Sequence, residues 1–211
     1  MTPIFQGNTN EDRIKRILDA SLEVFTEFSF EDSTTGEIAS RSRMSKRDLY
    51  ALFPNKQALL MGVVMREMQI QEQRFRETIA SIAKLRSLRS KLELVGIALV
   101  EDMLSPSMGV VRRLVISESL KQPFLGSLFF EGGVAQRCKQ LSNVLASHQI
   151  MNISLKAAEL DSVAEHYFSM VMFFPSAMAE IGMSGKWTAV AIKRHVSLAT
   201  EHFLRANPSF D

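Results

Sequence analysis

A chain of 211 residues with one cysteine, Cys138, cannot close an internal disulfide or build a thiolate zinc site from that residue alone. It reads as the product of a reducing compartment. Glycine (10) and proline (6) are scarce, and no alternating strand pattern of useful length occurs, which argues against a sheet-built fold. Charge of one sign is missing too: 25 Lys+Arg against 23 Asp+Glu leaves +2, so any basic character must be local. The most apolar stretch, roughly 163–181, is interrupted by Glu165, His166, Pro175 and Glu180. A spanning helix needs about 20 mostly apolar residues. The opening MTPIFQGNTNEDR lacks the cationic and apolar regions of a secretory signal. A soluble, cytoplasmic protein with no membrane partner is expected.

What is present is helical periodicity. With 46% hydrophobic and 23% charged residues, the composition is that of an ordinary globular chain. Asn10, Glu11 and Asp12 supply a cap and early acidic charge for a first helix. Its apolar stripe runs Ile14, Ile17, Leu18, Ser21, Leu22, Phe25, Phe28. Thr34 or Thr35 caps a short second helix, with Glu37 at the capping-box position after Thr34. Ser45, with Asp48 three residues on, opens a short third helix burying Leu49, Leu52 and Phe53 before Pro54 stops it. Asn55 caps a long fourth helix, about 56–83, with the stripe Leu60, Val64, Met68, Gln71, Phe75, Ile79, Ile82. Such a helix spans roughly 40 Å and must join two bodies. Further helices are expected near 86–104, 107–121, 124–149, 157–181 and 187–206, with breaks including 152–154 and 182–185.

Two short helices joined by a tight turn and packed on a longer one make a helix-turn-helix unit. Between Arg41 and Lys56 stand five cations (Arg41, Arg43, Lys46, Arg47, Lys56) and one anion, Asp48, a local 5 − 1 = +4. That concentration on a groove-sized element suits a reader of double-stranded DNA, although basic residues beside a turn can equally be a solvated face. Lys46 and Arg47 lie at the end of the short helix that enters a major groove. Arg47 can fork onto a guanine, and Lys46 can meet a base or a phosphate. Tyr50 offers a hydroxyl to a phosphate. Thr35 and Lys56 sit at helix N-termini, where backbone N–H groups favour a phosphate.

The pieces IxxxASLEVF, TTGEIA and MSKRDLYALFPNKQALL, in this order and spacing, resemble the TetR/AcrR transcriptional regulators over about fifty residues. Carried over by position, the family's phosphate and base contacts fall on Thr35, Ser45, Lys46, Arg47, Tyr50 and Lys56. One departure concerns the turn, where the family carries glycine and this chain has Arg43. Either Arg43 adopts positive φ, at a strain of about 1–2 kcal/mol, or the turn is rearranged and Arg43 becomes an extra phosphate contact. VVRRLVISESLKQPFLGSLFFEGG is similar, more weakly, to the AefR-like regulatory domain.

The resemblance implies an all-α protein with two domains. A three-helix DNA-binding domain over 1–55, with 1–10 as a flexible arm, is joined by the long helix to a helical ligand-binding and dimerisation domain over 56–211. Met103, Met108, Phe129, Phe130, Phe168, Met172 and Met178 can line an apolar ligand cavity or be plain core. Ala189, Ile192, Val196, Ala199 and Phe203 step at packing intervals along the last helix. This stripe suits either internal core or a dimer seam, and the resemblance favours the seam. No Gly-x-Ser-x-Gly elbow, phosphate loop, dinucleotide fingerprint or His-Glu-x-x-His occurs; Gly182-Met183-Ser184-Gly185 is a connector. No enzyme activity, cofactor or metal site is expected. The expectation is a nucleoid-associated homodimeric repressor, released from a pseudo-palindromic operator by an apolar or amphipathic effector. The alternative is a helical protein–protein interaction module of the same fold without specific DNA binding.

Overall fold

The computed structural model describes residues 10–148 and 156–210, and all regular structure among them is helical. The expected arm, apart from Asn10, and the break at 152–154 lie outside the described residues. The chain divides into two compact units, Met1–Glu67 and Met68–Asp211, with the division inside one long helix.

The first unit holds α1 (Asn10–Glu27), α2 (Thr35–Arg41), α3 (Lys46–Leu52) and the opening turns of α4 (Lys56–Ile82). Three caps set its helix starts. Thr34 Oγ1 accepts from the Glu37 N–H at 3.1 Å, Ser45 Oγ from the Asp48 N–H at 3.1 Å, and Asn55 Oδ1 from the Ala58 N–H at 2.8 Å. Ile17, Leu18, Val24 and Phe25 of α1 are buried with Ile38, Ala39, Leu49, Leu59 and Val63. The α1 stripe ends earlier than expected: the helix stops at Glu27, and Phe28 is 44% exposed. Gly62 permits close packing, because a Cβ there would lie 2.9 Å from both Leu18 Cδ2 and Phe53 Cε1.

The second unit adds to the rest of α4 the helices α5 (Leu88–Leu104), α6 (Pro106–Glu118) and α7 (Pro123–Phe129). A π-helical turn (Phe130–Ala135) follows, then α8 (Gln136–Ala146), α9 (Ala157–Glu180) and α10 (Ala189–Ala206). The single helix expected over 124–149 is therefore broken by a widened turn. Met68 Cε stands only 3.0 Å from where a Gly132 Cβ would be, so the double glycine lets this turn lie against α4. Tyr167, fully buried, anchors the core: its hydroxyl donates to the Leu92 carbonyl at 2.7 Å and accepts from the Thr200 hydroxyl at 2.9 Å. Its ring meets Phe203 edge-on at 5.0 Å.

This core corrects the expected dimer seam. Ile192, Val196, Ala199 and Phe203 belong to the protomer's own core, and Ala189 is merely exposed. Gly96 of α5 shows how closely α10 packs, since a Cβ there would come within 2.6 Å of Val196 Cγ1. Apolar periodicity marks a buried face without naming what buries it. No single described helix is long and apolar enough to cross a membrane.

Candidate nucleic-acid interface and effector cavity

The turn between α2 and α3 is a Schellman cap. The Met44 N–H donates to the Ala39 carbonyl at 2.9 Å and the Arg43 N–H to the Ser40 carbonyl at 3.1 Å. That cap requires a left-handed residue, and Arg43 supplies it at φ 54°. Of the two expected outcomes, positive φ is the one realised.

α3 is locked in place by its own acid. Asp48 accepts from the Ser45 hydroxyl at 2.6 Å and pairs with Arg13 of α1 at 3.1 Å. The Ser45 hydroxyl, then the Arg13 guanidinium, hold the Asp48 carboxyl below the usual carboxylate range. The Ser45 side chain is thus committed to the cap. The side chains of Lys46, Arg47 and Arg43 are exposed and make no hydrogen bond or ion pair among the described residues. Lys46 lies along the start of α2, its Cε 3.2 Å from where a Gly36 Cβ would be. Tyr50 is 44% exposed, and its hydroxyl is 2.8 Å from Thr35 Oγ1, joining α3 to the first turn of α2.

Two of the residues expected to meet DNA are engaged within the unit. Arg41 is held by Glu27 through two bonds, 2.9 and 2.6 Å, and by Glu37 at 2.9 Å. Glu27 first and Glu37 next raise the Arg41 pKa. The Lys56 ammonium donates to the carbonyls of Phe30 (2.6 Å), Glu31 (3.0 Å) and Ser33 (2.9 Å) and sits over the Phe30 ring. All three of its protons are used within the unit. The free cationic set is therefore Arg43, Lys46 and Arg47, not the five read from the sequence.

In the second unit a cavity of about 160 Å³ is lined by residues of α4 to α9. Of the residues named from the sequence, Met103, Met108, Phe129, Phe168 and Met172 are among its walls. Phe130 and Met178 are not: Phe130 is 59% exposed, on the outer side of the π turn, and Met178 lies elsewhere on α9. Sequence reading missed the polar wall of Gln71, Asp102, Arg112 and Arg137, because isolated charges on amphipathic helices look like surface residues.

Burial raises the Asp102 carboxyl to about 6, against the pull of Arg137 and Arg74. Gln71 faces both Asp102 oxygens, and with its amide nitrogen turned to them donates at 3.0 and 2.7 Å. Arg112 is tied to Glu180, and its Nη1 lies 3.0 Å from Met103 Sδ. Cys138 is buried near this region, and desolvation pushes its thiol up to about 11. That is the reverse of a reactive thiolate.

Comparison with known proteins follows this division. The model of the bacterial regulatory proteins of the tetR family matches residues 17–63. That of the C-terminal domain of AefR-like transcriptional repressors matches residues 90–206. The HTH-type transcriptional regulator RutR of Escherichia coli (strain K12) is 35% identical over 83 residues, which cover 37% of this chain and 39% of that relative.

Among solved structures, a TetR-family transcriptional regulator from Mesorhizobium loti MAFF303099 has a TM-score of 0.83 at 20% identity, covering 94% of this chain and 98% of that one. The flavonoid-responsive regulator FrrA has a TM-score of 0.67 at 21% identity, covering 93% and 97%. At such identities the likeness is one of fold. All these relatives are transcriptional regulators and none is an enzyme. With a helix-turn-helix model at one end and a regulatory-domain model spanning over half the sequence at the other, the chain belongs to the TetR/AcrR family of transcriptional regulators.

Proposed function

We propose that the protein is a homodimeric repressor, active at the nucleoid in the cytoplasm. It holds a pseudo-palindromic operator with α3 of each copy and leaves it when an apolar or amphipathic molecule enters the cavity of the second unit. The observation that carries the DNA reading is the state of Arg43, Lys46 and Arg47: exposed, free of ion pairs, and placed at the turn and N-terminal end of a capped helix. Arg47 suits a guanine, and Lys46 and Arg43 suit phosphates. Thr35 and Tyr50 are already joined, and whichever hydroxyl accepts in that bond keeps its proton for a phosphate oxygen.

A single short helix is too weak a reader, and paired heads one DNA turn apart are the usual solution. With the α10 stripe used in the core, the large apolar residues left exposed on α9 and α10 are Met170, Phe173 and Phe174, and Val190 and Leu198. They support pairing through the outer faces of these helices. Met68 and Gln71 of the cavity wall lie on α4, whose first turns belong to the first unit. Occupancy can therefore act on one continuous helix, and a coupling of about 1–3 kcal/mol is enough to loosen DNA by roughly five- to 150-fold.

Operator affinity measured against salt tests the reading, after genomic footprinting has located the sites. Log affinity should fall linearly with log salt, by about 0.9 for each phosphate neutralised. Lys46→Ala should make that slope shallower by about one. Arg47→Ala should cost about 1–3 kcal/mol and relax preference at one base pair of each half-site. Affinity unmoved by both substitutions would favour the interaction module without specific DNA binding.

A further inference from the structure

The cavity's charged groups are not equally provided for. Arg112 is tied to Glu180, and Asp102 has the Gln71 amide against both oxygens and Arg74 at 3.9 Å. Arg137, reaching into the same cavity from α8, has no hydrogen-bond acceptor and no ion pair among the described residues. Its guanidinium stacks over the Phe75 ring at 5.5 Å and only senses the charges of Asp102 and Glu72 from a distance. Desolvation of this half-buried guanidinium pulls its pKa down, and the charges of Asp102 and Glu72 offset that only in part. A planar cation with its N–H groups unmatched, at the edge of a wall of Met68, Leu99, Phe129, Phe168 and Met172, is a receptor for a carboxylate on an apolar body.

Size narrows the ligand. The cavity volume of about 160 Å³ is close to the ~150 Å³ of an apolar cavity that accepts benzene. Resting on the effector reading above, we propose that the effector is a compact apolar monocarboxylate, with the bulk of about one aromatic ring among the methionine and phenylalanine side chains and its acid group paired to Arg137. A cationic ligand is disfavoured because Asp102, the anion on this wall, already has donors. A neutral alcohol would leave the guanidinium without a charged partner.

The test uses the full chain and three probes of equal shape: benzoate, benzyl alcohol and benzylamine, titrated near neutral pH by ligand-detected NMR or calorimetry. Benzoate should bind about tenfold more tightly than the alcohol, and the amine no better than the alcohol. Arg137→Gln should lower benzoate to the level of the alcohol and leave the alcohol unmoved. Should that variant not fold, Arg137→Lys keeps the charge and stem, and should still weaken benzoate several-fold without affecting the alcohol. Met172→Trp, filling the apolar end, should remove benzoate and alcohol together. Equal binding of acid and alcohol, preference for the amine, or benzoate affinity that survives Arg137→Gln overturns the carboxylate while the cavity stands. If no probe binds, or if Met172→Trp changes nothing, the cavity as effector site falls as well.

Discussion

His195 of α10 lies with its Nε2 2.9 Å from the carbonyl oxygen of Val171 in α9, the oxygen that Pro175, four residues on and lacking an N–H, cannot serve. A carbonyl only accepts, so Nε2 carries the proton. Trp187 packs edge-on against the imidazole at 5.2 Å. His195 therefore completes the helix that proline would otherwise leave open. His195→Ala should lower unfolding free energy by about 1–3 kcal/mol, the cost of an orphaned buried acceptor. Pro175→Ala in the same chain should recover part of it by restoring the helical donor. Denaturant melts of the two single variants and the double variant check this, and additive losses would sink the account.

Arg43 and Gly182 occupy the same position of the same cap. The α9 ending repeats the Schellman pattern, with the Met183 N–H on the Met178 carbonyl at 2.8 Å and the Gly182 N–H on Ala179 at 3.2 Å. Gly182 takes φ 78° without penalty, whereas Arg43 takes φ 54° with a Cβ. Arg43→Gly should raise stability by about 0.5–1 kcal/mol, strain relief less the added chain entropy. It should also make the salt slope of DNA binding shallower by about one if Arg43 meets a phosphate. A gain in stability with an unchanged slope would remove Arg43 from the interface and leave the strain argument intact.

Lys56→Met removes the donor of three carbonyl bonds made by the segment before α2. We expect about 1–3 kcal/mol of lost stability, with the salt slope of DNA binding by the folded protein unchanged. A slope made shallower by about one would return Lys56 to the phosphate contacts.

Asp102 ionises in the fold near pH 6, above its ordinary 3.8. Between those values the folded state holds more proton than the unfolded one, so stability falls as pH rises through this window. The penalty is complete above about 6 and absent below about 4. Arg137, Arg74 and Glu101 are the charges acting on it. Asp102→Asn should stabilise the protein above pH 6 by about 1 kcal/mol, after discounting for the carboxyl's partial exposure. Thermal midpoints of both proteins should converge as pH is lowered toward 4. A gain independent of pH would assign the effect to packing instead.

Phe173 is 74% exposed and Phe203 1%, so the two test opposite roles on neighbouring helices. Phe173→Glu should yield a folded monomer in light scattering with the wild-type circular dichroism signature. Phe203→Ala should leave assembly alone and cost about 3–5 kcal/mol of stability. A dimer that persists in Phe173→Glu places the seam elsewhere.

Local rules made much of this legible in the sequence. Thr34, Ser45 and Asn55 each reach a backbone N–H three residues on, and α3 ends before Pro54 because proline disfavours helix in its predecessor. Those interactions span one helical turn, so the residue order alone determined them, along with the all-helical architecture and the exposed Lys46 and Arg47. Folding decided what depends on partners distant in the chain. Arg41 is matched by Glu27 and Lys56 by the carbonyls around Phe30, and neither pairing follows from a charge count. The α10 stripe became core because α5 and α9 cover it. Arg137 became a half-buried cation without an ion pair because seven segments close around one cavity. Residue type sets how strongly a group seeks burial or a counter-charge; only the packed chain decides which groups find one.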